Sequence, residues 1–188
     1  MKRGIKILLI ADAFMTLALG MLGPIYAIFV ERIGGDLLDA SWAYFTFMLT
    51  SGIVMYLISR WENHIKHKEK LIFSGYLLAA IGCLSYYFVY NQTTLLLTQV
   101  ILGFAMAILS PAFDAVYAHY INKKREASDW GAWESMGYLV TALAALSGGY
   151  IANFYGFKIL FLIMFFISLL GAFYSLRLFG RKKNLESI

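Results

Sequence analysis

The chain has 188 residues, of which 61% belong to the AVILMFWYC set and 14% are charged, with a formal net charge of +5. A water-soluble domain is roughly 45–50% apolar and about 25% charged, and one as apolar as this would expose large greasy patches and aggregate. Composition therefore excludes an ordinary water-soluble domain and makes lipid the sensible solvent. The one cysteine, Cys83, excludes an intrachain disulfide framework and lies inside an apolar run.

Met1-Lys2-Arg3 is followed by an apolar run over 7–30, too long for the core of a signal peptide and without an A-x-A site after it, so it reads as a retained first span. A helix needs about 20 apolar residues to cross a hydrocarbon core of about 30 Å. Five further stretches qualify, over 40–59, 71–90, 94–121, 130–154 and 157–179. In lipid each is expected to be helical, because every backbone N–H and C=O must find a partner within its own segment. The expected fold class is thus an all-α integral membrane protein of six transmembrane helices, one membrane domain over 1–188.

Lysine and arginine orient the spans. The N-terminal tail carries Lys2, Arg3 and Lys6, and the second loop carries Arg60, Lys66, Lys68 and Lys70. Lys123, Lys124 and Arg125 lie in the fourth loop, and Arg177, Arg181, Lys182 and Lys183 lie at the end of the last span and in the tail. The other side has Arg32 and Lys158, a split of 14 to 2. Both termini and both basic loops are expected to face the cytoplasm in a cell membrane. The excess charge is then a signal to lipid headgroups and not a nucleic-acid footprint.

The halves 1–90 and 91–188 resemble each other at an offset of 87 to 89 residues. Gly23-Pro24-Ile25-Tyr26 aligns with Ser110-Pro111-Ala112-Phe113, Asp39-Ala40-Ser41 with Glu126-Ala127-Ser128, and Trp42 with Trp130. Lys70-Leu71-Ile72-Phe73 aligns with Lys158-Ile159-Leu160-Phe161, and Gly82 with Gly171. Three spans is an odd number, so the second copy is inverted relative to the first. A 3+3 inverted repeat is a transporter design.

Three acids, Asp12, Asp114 and Glu134, lie within spans, roughly 8–10 Å inside the basic ends at 1.5 Å per residue. Acids so placed usually face a bundle interior or a wet cavity, where they are expected to form one layer able to hold a proton. A second reading stands beside this one: Asp12 pairs with Lys6 or Arg3, and Glu134 with Arg125, each acid lying early in its helix where the dipole favours it. Helical spacing marks candidate pore faces: Gln99, Gly103, Ala107, Ser110, Asp114 and Tyr117 on the fourth span; Trp130, Glu134, Tyr138, Thr141 and Ala145 on the fifth; Asp12, Thr16, Leu19, Gly23 and Tyr26 on the first. The small residues in these stripes equally suit close helix packing. Pro24 and Pro111 fall at matching repeat positions and each removes a backbone hydrogen bond, permitting a kink.

The stretch over 99–161 resembles the fourth to sixth helices of the major facilitator superfamily, reading Q-V-I-L-G, S-P-A-F-D-A, a basic loop ending in Arg125, S-G-G-Y and Y-G-F-K-I-L-F. Gln99 stands where that family's R-x-x-x-G motif has arginine, and Gly103 is kept. Of the G-P-x-x-G-G motif only Gly148 and Gly149 remain, and the loop between helices two and three keeps Leu57 and Arg60. The resemblance implies half of a twelve-span fold, completed by a homodimer or a second six-span half, and secondary transport of a small organic solute. No basic side chain lies at the expected midplane, so the solute is expected to be neutral or cationic and partly apolar. A non-transporting accessory subunit or a degenerate transporter fragment is the alternative. No H-E-x-x-H or G-x-S-x-G motif supports an intramembrane enzyme, and no metal or cofactor is expected.

Overall fold

The computed structural model describes residues 3–62 and 64–179. Lys2, Arg181, Lys182 and Lys183 of the charge tally lie outside the described residues.

The first span is built from α1 (Arg3–Gly20), a 3-10 turn (Gly23–Ile25) and α2 (Tyr26–Arg32). The second is α3 (Leu37–Glu62), the third α4 (Lys68–Ser85) with a closing 3-10 turn, and the fourth α5 (Gln92–Tyr120). The fifth is α6 (Glu126–Tyr155) and the sixth α7 (Phe157–Ser175). Among the described residues there is no strand, and six helical segments are long and apolar enough to cross a membrane.

The ends of the helices carry local devices. Asp36 and Asp39 cap α3 reciprocally, each carboxylate accepting from the other's backbone N–H at 2.9 and 3.0 Å. Asn91 and Thr94 close a capping box on α5. Gly156, at φ 84°, ends α6 and admits α7 directly, a backbone state that side chains with Cβ rarely adopt. Short connections of this kind force neighbouring spans to run antiparallel. The basic loops share one end of the bundle, and Arg32, Asn91 and Gly156 mark the far end.

The first span packs on the fifth and sixth, and the fourth packs on the second and third, while the third and sixth pack on each other. Exchanging first with fourth, second with fifth and third with sixth returns these principal contacts, as an inverted 3+3 repeat requires. Close approach rests on small residues. Gly20 lies where a Cβ would come 2.9 Å from the Ala144 Cβ, and a Cβ on Gly148 would run into the Met21 backbone. Gly103 is pressed on the second span, where a Cβ would meet Thr50 at 2.7 Å, whereas Gly149 faces open space.

The core falls into two layers. Ile5, Leu8, Ile72, Tyr76, Phe113 and Tyr117 build the layer at the basic end. Phe29, Tyr86, Leu95, Leu160 and Phe161 build the far one, with Phe29 edge-on to Phe161 at 4.9 Å and Tyr86 stacked on it at 5.2 Å. The second and fifth spans stand apart. Only 6% and 17% of their apolar windows are buried, against 39–50% in the other four.

The repeat-related prolines do not behave alike. Pro24 lies in the 3-10 turn that interrupts the first span, but α5 runs through Pro111 without a break. Gly20 and Gly23 flank the first site and lower helix propensity, whereas alanines 105, 107 and 112 support the second.

Candidate functional site

Two polar nodes lie in the interior, one in each layer. At the basic end Asp12 accepts a hydrogen bond from the Trp133 indole at 2.7 Å and a longer one from the Tyr76 hydroxyl at 3.4 Å. Its hydrogen-bond partners are thus an indole and a phenol from the fifth and third spans, not Lys6 or Arg3. Asp114, at the basic end of the fourth span, is exposed. Four rings pack beside them: Phe113 stacks on Tyr117 at 5.9 Å, and Trp133 touches Phe113 at 5.2 Å and Trp130 at 5.5 Å. The Tyr117 hydroxyl donates to the Asp129 carbonyl, and the Asp129 carboxylate accepts from the Asn122 N–H at 3.3 Å. These bonds pin the start of the fifth span to the end of the fourth.

At the far end the centre is Gln99, 5% exposed. Its amide nitrogen donates to the hydroxyl oxygens of Tyr26 and Tyr86, each at 2.8 Å. The three side chains sit at the wall of a cavity of about 300 Å³ bounded also by Leu19, Leu22, Tyr44, Phe47, Leu102 and Met106. Among the described residues no charged side chain lines this space.

The three acids of the expected layer have different surroundings. Asp12 is held by Trp133 and Tyr76, Asp114 and Glu134 are exposed, and no hydrogen bond or ion pair among the described residues joins Glu134 to either aspartate or to Arg125. The fourth-span stripe is likewise not one open face. Gln99 meets the first and third spans, Gly103 the second, and Tyr117 the fifth. Helices crossing at an angle bring different neighbours to one stripe at different depths. Ser110 is half-buried, Asp114 exposed, and Tyr138 and Thr141 are exposed on the fifth span. In the loop between spans two and three, Arg60, Lys66 and Lys70 are exposed, and Lys68 donates to the Glu62 carbonyl at 3.0 Å. Lys66 and Lys68 border a small cavity with Glu69 and His119, and Arg125 leads into α6.

Sequence reasoning passed over Tyr76, Tyr86, Phe113 and Trp133 as site residues. The available signal was chemical: buried phenols and indoles usually find a hydrogen-bond partner, and an intramembrane acid or amide is the obvious one.

A six-helix bundle with close-packed glycines, a cavity on its far side and acids placed within its spans has the build of a multi-pass membrane protein. The chain belongs to the Major Facilitator Superfamily, whose family pattern matches residues 8–187. It is therefore a half of that fold, in a family of secondary transporters and not of enzymes. It is similar to an uncharacterized MFS-type transporter of Methanocaldococcus jannaschii, 23% identical over 175 residues, covering 93% of this chain and 45% of that protein. The chain thus spans less than half the length of the curated relative it matches.

Proposed function

We propose that this six-span unit moves a small, partly apolar organic solute in partnership with a second six-span half. The partner is a second copy, a separate chain, or a continuation in a longer polypeptide. The observation that carries this reading is the exposure of Asp114 and Glu134 within membrane spans. Left against lipid, each carboxylate would cost about 2.5–3.5 kcal/mol at a helix centre. A second half enclosing a wet cavity removes that cost and also covers the poorly buried second and fifth spans. Halves of this fold are related by an axis along the membrane normal, so two copies in the same orientation can form a closed two-fold pair.

The 14-to-2 split of basic residues supports cytoplasmic termini and cytoplasmic basic loops. The repeat boundary near residue 90 is part of the same reading. The test is cysteine crosslinking across the second and fifth spans in native membranes, combined with solute counterflow in vesicles. Crosslinked pairs and counterflow are expected. A strictly monomeric chain that nonetheless supports counterflow would refute the paired assembly.

A further inference from the structure

The Gln99 node carries information about what the cavity accepts. Gln99 spends both amide hydrogens on the oxygens of Tyr26 and Tyr86. Each phenol therefore keeps its own hydrogen, and no acceptor for either lies among the described residues. A buried hydroxyl left without an acceptor costs free energy, about 1–3 kcal/mol in a core. Here Tyr86 is buried, Tyr26 is half-buried and both line a cavity, so an acceptor that enters the space can take their hydrogens. The surrounding surface is leucine, methionine, phenylalanine and tyrosine. It offers neither a carboxylate for an ammonium nor a guanidinium for an anion, and an isolated charge is costly in such a place.

We infer that the paired phenols Tyr26 and Tyr86, set by Gln99, select a neutral solute carrying a carbonyl or ether acceptor on an apolar or aromatic frame. This rests on the transport reading above and narrows it, removing the cationic option that the sequence leaves open. The two hydroxyls lie on the first and third spans and are joined by a residue of the fourth, so one acceptor group bonds two spans directly and reaches the third through Gln99. Solute binding would then fix the relative positions of the first, third and fourth spans.

The experiment measures thermal stabilisation of the detergent-purified chain by aromatic primary amides, benzamide and cinnamamide, against the matched benzylammonium and benzoate or cinnamate ions. The amides are expected to stabilise it and the ions not to. Tyr26→Phe and Tyr86→Phe each weaken amide binding about three- to tenfold, the worth of one neutral hydrogen bond, each variant being compared with its own unliganded melting temperature. Tyr155→Phe removes a hydroxyl at the exposed end of α6, away from the cavity, and leaves binding unchanged. Stabilisation by an ion as strong as by its amide would overturn the inference. So would amide binding indifferent to both Tyr→Phe changes, or no amide binding at millimolar concentration. Counterflow in vesicles separates the two levels: amides that bind but do not exchange count against transport, while exchange of an ion without its amide counts against the solute class.

Discussion

The Asp12 and Gln99 nodes stand 87 positions apart in the chain, the same offset that relates Pro24 to Pro111. One lies at the start of the first span and the other at the start of the fourth, so the inverted repeat places them at opposite ends of the bundle. Their chemistry differs. Asp12 is an acid held by an indole and a phenol beside a cluster of packed rings. Gln99 is a neutral amide holding two phenols at the wall of an open cavity. The repeat fixes where a polar group can sit in the backbone, but side chains decide what that group is and what it meets. In this conformation Gln99 borders a cavity, whereas the Asp12 carboxylate is engaged by Trp133 and Tyr76.

The largest effect should come from breaking the contact that places both nodes. Gly148 on the fifth span rests on the Met21 backbone of the first. Gly148→Leu drives a side chain into main chain, which cannot move aside as a rotamer can, and should cost about 3 kcal/mol or more. Loss of a monodisperse peak in detergent chromatography is expected, whereas Gly149→Ala, with open space around it, should elute as the parent does. A well-behaved Gly148→Leu protein would show that the two spans do not approach so closely.

Next is the acid itself. Asp12→Leu strands the Trp133 and Tyr76 donors, at about 1–3 kcal/mol for an unsatisfied buried group. Asp12→Asn keeps an acceptor for Trp133 and should cost about 1 kcal/mol or less. Chemical denaturation in mixed micelles reads the difference, and counterflow adds a second readout. If Asp12→Asn is stable yet inactive, the charge matters; if it is stable and active, the carboxylate serves only as an acceptor. At the neutral node, Gln99→Glu reverses the hydrogen bonding. The carboxylate accepts from both phenols and turns their hydrogens away from the cavity. Amide binding should fall about tenfold or more, the worth of two bonds, with the helical content unchanged by circular dichroism. Retained amide binding in Gln99→Glu would mean that the phenols do not face the solute.

The six helices, their alternating direction and the 3+3 pairing were legible in composition and spacing, because lipid permits so few ways to satisfy a backbone. The intramembrane acids were legible too, since an acid is conspicuous among apolar neighbours. Their partners were not. Trp133 and Tyr76 lie 121 and 64 residues from Asp12, and one sequence holds no signal linking positions so far apart. Glu134 and Tyr138 shared a stripe with Trp130 by helical spacing, yet a stripe cannot say which neighbour it meets or at what depth. Gln99 was visible as the residue in place of an arginine, but its two phenols, on other spans, were not.

The smallest effect concerns the two prolines, which share the repeat offset but not a conformation. Pro111 lies inside an unbroken α5, so Pro111→Ala restores a backbone donor to a helix that already holds its course. Stability and amide binding should change by about 1 kcal/mol or less. Pro24 lies in the 3-10 turn that separates α1 from α2. Pro24→Ala allows α-helix to run through Gly23–Ile25. A 3-10 residue turns about 120° and an α residue about 100°, so three converted residues rotate α2 by about 60°. That rotation swings Tyr26 away from Gln99 and removes one arm of the triad. Amide binding should then weaken about as much in Pro24→Ala as in Tyr26→Phe, with little change in overall stability. Equal responses from the two proline variants would mean that the turn at Pro24 plays no part in aiming Tyr26, and the contrast between the repeat mates would reduce to their side chains alone.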